Sequence, residues 1–125
     1  MALVNLARDI IADALTGGAT YLRFSNANAH LGVGTSSTAH DPAQTDLLGG
    51  SKARKAMDLT YPQRTANVVT WRATFGESEG NFAWNERGVF NAASGGQMLS
   101  RKVVSLGTKA SGSWQLTCTD TLVLV

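Results

Sequence analysis

Only one cysteine, Cys118, occurs in the 125 residues, so no disulfide forms within the chain. It falls at an inward position of a strand-like stretch, where it acts as a small hydrophobe. Charge is scarce as well: Asp, Glu, Lys and Arg make up 16% of the residues against 43% hydrophobic ones. So few charges leave a free surface poorly solvated, which predicts that a partner covers part of it. The surplus of +2 and the pI near 9.0 reflect few titrating groups rather than a basic face. The one cationic cluster, Lys52, Arg54 and Lys55 in GGSKARK, has no aromatic residue interleaved. It reads as a solvated loop or strand edge with the capacity to contact an acidic partner, and poorly as a nucleic-acid surface. Uninterrupted apolar runs are absent too. ALVNLARDIIADAL carries Arg8, Asp9 and Asp13 within its pattern, which argues against a signal peptide or a membrane span and predicts use without export.

The residues for chemistry are equally thin. His30 and His40 both lie in turn-rich segments with no nucleophile elbow nearby, so no nucleophile and base come together in the sequence. A tetrahedral metal site needs several ligands at tight spacing. His40 and Asp41 are adjacent and point apart in an extended chain, and Asp41 with Asp46 gives the 35–46 loop only two carboxylates. GVGTSST lacks the lysine of a phosphate-binding loop, the next lysine being Lys52. No cofactor and no metal are expected.

What is present is a β pattern behind one helix. Leu3, Leu6, Ala7, Ile10, Ala14 and Leu15 recur at helical spacing, and Gly17-Gly18 ends the run, which predicts an amphipathic helix over about 3–16. Short strands are expected around 20–24 and 29–34, then a turn-rich stretch broken at Asp41-Pro42 and Gly49-Gly50. NVVTWRATF alternates Val69, Trp71, Ala73 and Phe75 against Val68, Thr70, Arg72 and Thr74. Further strands follow in NFAWNERGVF, QMLSRKVVSL and WQLTCTDTLVLV, the last with Trp114, Leu116, Cys118, Leu122 and Leu124 on one face. The turns between them are short, which predicts antiparallel neighbours. At this length the chain is a single domain, 1–125, of α+β or mainly β class: an N-terminal helix followed by an antiparallel β-sandwich.

One stretch poses a chemical question. Regular alternation through residues 82–90 puts Phe82, Trp84, Glu86, Gly88 and Phe90 on one apolar face with a carboxylate at its centre. A buried carboxylate is costly unless it is paired or accepts several hydrogen bonds. As an acid catalyst Glu86 needs a second carboxylate, and Glu77 and Glu79 sit in a solvated glycine turn, leaving only Asp120. As a structural acceptor it needs donors, and the following turn, Arg87 and Arg101 offer them. The second reading is the stronger. Phe82, Trp84 and Phe90 are then expected in one core with Trp71, Phe75 and Trp114. Arg87, on the opposite face, is expected to meet solvent or a partner chain.

The ordered motifs NAHLGVGTSSTAHDPAQTDLL, RKAMDLTYP, WRATFGESEGNFAWNERGVFNAASGGQMLSRKV and LGTKASGSWQLTCTDTL together resemble a family of small bacteriophage virion structural proteins. The middle is also similar to the N-terminal attachment domain of tail-collar and tail-fibre proteins. The matching elements are the helix, Gly32-Val33-Gly34, Thr45-Asp46-Leu47, and Glu86-Arg87-Gly88-Val89-Phe90. The resemblance implies that Glu86 is a fold determinant, that Gly88 admits another backbone and that Phe90 closes the core. It implies a non-enzymatic virion protein, assembled in the host cytoplasm as a homo-oligomer such as a trimer or ring. Its partners would be other virion proteins of the tail or the major capsid protein, not nucleic acid or membrane. One departure bears on its role: the long shaft and receptor-binding tip of a tail fibre do not follow here. The resemblance thus implies an adaptor or collar subunit, with a capsid decoration (cement) protein as the alternative.

Overall fold

In the computed structural model, residues 2–123 are described, so the expected inward placement of Leu124 lies outside them. The chain begins with a two-residue strand β1 (Ala2–Leu3) and the helix α1 (Leu6–Leu15). Strands β2 (His30–Gly34), β3 (Lys52–Ala56), β4 (Gln63–Thr65), β5 (Val68–Phe75), β6 (Ala83–Phe90), β7 (Met98–Thr108) and β8 (Trp114–Thr121) follow. They form two antiparallel sheets, ordered β1-β7-β6-β2-β3 and β4-β5-β8. The mainly β sandwich with one N-terminal helix, expected from the pattern, is what the chain builds.

The helix is shorter than its apolar pattern. Leu3 pairs with Ser100 of β7, and Val4 N–H donates to Leu99 O at 3.1 Å, so the first residues extend a sheet instead. Ala7 and Ile10 are buried, whereas Leu15 is 82% exposed. The helix ends as expected at Gly17, whose φ of 66° is the left-handed conformation glycine adopts without strain. Gly18 N–H then donates to Asp13 O at 2.8 Å. The stretch 20–24, expected as a strand, is irregular. The Asp13 carboxylate accepts from the N–H groups of Thr20 and Tyr21 and holds that segment to the helix.

Connectivity corrects a second expectation. Short turns do join antiparallel neighbours at β4–β5 and β6–β7. The equally short 76–82 segment instead carries the chain from β5 in one sheet to β6 in the other, and 109–113 carries it back to β8. β8 pairs with β5, not β7, in unbroken register from Val68↔Thr121 to Phe75↔Trp114. Lys109 fixes both crossings. Its wholly buried ammonium donates to Gly76 O (2.7 Å), Glu77 O (3.3 Å) and Asn81 Oδ1 (2.6 Å), and its N–H donates to Phe82 O (3.0 Å).

The apolar interior is split in two by the larger sheet. Between the sheets lie Leu31, Val33, Trp71, Ala73, Phe75, Trp84, Val89, Leu116 and Cys118. On the far side of the larger sheet, under residues of the 35–49 loop and the start of the helix, lie Val4, Leu47, Phe90 and Met98. The expected aromatic core is therefore divided. Trp84 meets Phe75 and Trp114 edge-on, with centroids at 4.9 and 5.1 Å, while Phe90 belongs to the second cluster. The cause is local. Pairing of β6 with β7 slips between Trp84 and Glu86, so regular alternation does not carry across that step. Trp84 faces the other sheet, and Glu86, Gly88 and Phe90 face the loop.

Candidate functional site

Glu86 sits in β6 between β2 and β7, with no exposed surface. Its carboxylate accepts four hydrogen bonds. Arg101 Nε (2.9 Å) and Leu48 N–H (2.9 Å) donate to Oε1, and Gly49 N–H (2.6 Å) and Ser36 N–H (3.2 Å) donate to Oε2. Every partner is a donor, which is the condition under which a buried carboxylate is stable. Arg101 was among the donors expected. The backbone donors come from the 35–49 loop rather than from the turn after β6, and Arg87 is not one of them.

Arg101, in β7 and equally buried, extends the network. Its other guanidinium nitrogens donate to Gln44 Oε1 at 3.1 Å and to Thr38 O at 2.9 Å. One carboxylate and one guanidinium thus tie both limbs of the loop to the sheet. The space comes from glycine: a Cβ on Gly34 would collide with the Glu86 carboxylate, and one on Gly49 would stand 2.8 Å from its Oε2. Gly88 meets the side chains of Leu47 and Phe90 at 3.1 Å and Ser100 O at 3.2 Å in the same sense, so it admits side chains as well as backbone. Phe90 lies across the paired Gly32 and Gly88 and fills the volume they leave.

The basic cluster is a strand edge, one of the forms expected of it. Lys52 Nζ donates to Asp46 Oδ2 at 2.9 Å, and Arg54 reaches Asp46 Oδ1 at 3.5 Å. The Arg54 guanidinium also lies 3.6 Å above the Phe90 ring and donates to Ala92 O and Gly95 O, both at 2.9 Å. Lys55 pairs with Glu79 at 2.9 Å. Partial burial works against ionisation of Asp46, but its hydrogen bonds to Lys52 and the Leu47 N–H prevail and hold its carboxyl below the ordinary range. The three cations are thus engaged with acceptors of the chain itself, a poor arrangement for tracking a phosphate backbone.

A second buried carboxyl lies between the sheets. Asp120 Oδ2 accepts from Trp71 Nε1 and from Ser100 Oγ, both at 3.0 Å, which links β8 to β5 and β7. Its Oδ1 is buried without a hydrogen-bond partner among the described residues. Burial raises its pKa above the ordinary carboxyl range, and the two donors offset this only in part. Glu86 and Asp120 stand on opposite sides of the larger sheet, so they form no acid pair. Burial likewise pushes the Cys118 thiol up to about 11, which leaves it protonated and unreactive near neutrality. The Arg87 side chain, expected to meet solvent or a partner chain, is half-buried and acts on both Cys118 and Asp120, so it turns toward β8.

Asp120 also lines a cavity of about 210 Å³ between α1, residues 21–24 and the small sheet, walled by Ile10, Phe24, Val69 and Trp71. Asp13, the other carboxylate there, is engaged by the loop N–H groups described above. Glu86 does not line it. In the 35–46 loop Asp41 accepts from Ala43 N–H at 2.8 Å and Asp46 serves the β3 cations, so the two carboxylates have separate tasks. Among the described residues no three His, Cys, Asp or Glu side chains converge on a point that would hold a metal ion. No helix among them is long and apolar enough to cross a membrane.

Lys109 is the structural residue that sequence reasoning missed. A lysine in GTKASGS reads as a turn cation. Its only signal is the glycine turn of residues 76–80, whose carbonyls can take a second donor. Comparison with protein-family models, with curated proteins and with solved structures gives no match.

Proposed function

We propose that this chain is a non-enzymatic structural subunit of a bacteriophage virion. In this reading it is an oligomeric adaptor or collar protein of the tail that anchors an appendage and docks other virion proteins. The observation that supports it most is the use made of Glu86. The one carboxylate in an apolar setting that invited a catalytic role is closed off from solvent and saturated by four donors. A catalytic acid has to reach a substrate, and this one reaches only Arg101 and the chain's own loop. Exposed apolar side chains add support. Leu15, Leu22, Leu59 and Val123 each stand more than half exposed on a chain with little surface charge to spare. The motif resemblance to virion attachment domains supplies the kind of assembly.

The test is the protein composition of purified particles produced from the genome that encodes this chain. A few to a few dozen copies per particle are expected of a tail subunit. Hundreds of copies would mark a capsid decoration protein instead, and absence from the particle would overturn the reading.

A further inference from the structure

The four sheet edges differ in how they meet solvent. β1 is two residues long and β4 three, and β3 carries Lys52, Arg54 and Lys55. Short length and cationic side chains are the usual guards against edge-to-edge pairing. β8 has neither. It runs eight residues, Trp114–Thr121, pairs on one side alone with β5, and does so without a bulge. Its outer row of N–H and C=O groups finds no ladder partner among the described residues. Its exposed side chains are Gln115, Thr117, Thr119 and Thr121, with no charge among them, and it contains no proline.

We propose that the outer edge of β8 is the surface through which two copies of this chain join, by antiparallel pairing of β8 with β8. The small sheets of the two copies then form one six-stranded sheet. The occupant is a second copy because the row is self-complementary. About a two-fold axis centred on Cys118, Thr117 stands opposite Thr119 of the second copy, and Gln115 opposite Thr121 of the second copy, each twice. Facing threonines are favourable cross-strand pairs, and no like charges meet. A closed two-fold also consumes both free edges and so stops growth. This inference rests on the reading of the chain as an assembling subunit and names the surface it uses.

The test replaces Gln115→Lys and Thr121→Lys together, at exposed positions whose β5 partners, Thr74 and Val68, carry no charge. Molecular mass by light scattering is followed over a range of concentrations, with amide hydrogen exchange along β8. The wild type is expected to dimerise, with β8 amides more protected as the dimer fills. At concentrations where both are monomeric the double variant is expected to melt like the wild type, and it is expected to dimerise at least roughly tenfold more weakly, because like charges now oppose across the edge. A wild type that stays monomeric throughout overturns the proposal, as does a variant that dimerises equally well. Neither result bears on whether the chain is found in particles, so failure here is separable from failure of the functional reading.

Discussion

Glu86 and Asp120 are both buried carboxyls on strands, and their surroundings give them opposite characters. Glu86 faces four donors, one of them a guanidinium, so its charge is matched. Asp120 has two neutral donors on one oxygen and none on the other among the described residues, so burial dominates and its pKa rises. Because the folded pKa lies above the unfolded one, the contribution of Asp120 to stability is whole below its ordinary value of 3.8. It is lost as pH rises through the higher folded value, since the unfolded chain then releases the proton more readily. Asp120→Asn keeps an oxygen for Trp71 and Ser100 and has no charge to form. Relative to wild type, the variant is expected to gain stability as pH rises from about 3.5 to 7, measured by urea unfolding at each pH. A difference that stays constant over that range would show that Asp120 ionises freely in the fold. The sequence made the demand of Glu86 for donors legible, and named Arg101, because an apolar run around a carboxylate has few solutions. It did not reveal Leu48, Gly49 and Ser36, since backbone N–H groups carry no residue signature. Nor could it show that Arg87 turns inward.

At the scale of elements, period-2 alternation located the strands well and failed where a strand is irregular. β5 buries Trp71, Ala73 and Phe75 as its pattern requires. In β6 the slip between Trp84 and Glu86 breaks the alternation, and the sequence around Asn85 gives no sign of it. The helix was over-read for a related reason. Leu3 satisfies a helical and a strand pattern equally, and pairing with β7 decides between them. Turn length was the weakest guide, because 76–82 is short enough for a hairpin yet spans the sandwich. Lys109 braces that crossing by adding a charged donor to the carbonyls of Gly76 and Glu77, which also accept from Glu79 N–H and Asn81 Nδ2 within the turn. Lys109→Met retains the apolar stem and removes all three donors. It is expected to destabilise the fold by about 1–3 kcal/mol, the cost of losing hydrogen bonds from a charged donor at a partly buried site. Amide exchange in residues 76–82 should rise more than exchange in β2 or β3. Uniform loss of protection across the chain would mean that Lys109 does not act on the crossings.

For the molecule as a whole, fold class was readable because composition, alternation and the single glycine-stopped helix all point the same way. The distribution of the core was not, because apolar pattern alone does not say which sheet face a strand shares with which neighbour. The Glu86–Arg101 pair shows how far one site reaches: it joins β6, β7, and the 35–49 loop, which covers the second apolar cluster of Val4, Leu47, Phe90 and Met98. A group that only held a reacting position would cost little to remove, and such removal often stabilises a protein. A fold determinant behaves in the opposite way. Glu86→Gln sets an amide NH₂ against donors and leaves the buried Arg101 charge without its counter-ion. Equilibrium unfolding of Glu86→Gln beside the wild type therefore separates the two roles. The expected result is a loss of about 3–5 kcal/mol in global stability, as when one partner of a buried ion pair is removed. A variant as stable as the wild type, or more so, would contradict the structural role of Glu86 and restore the case for chemistry at this residue.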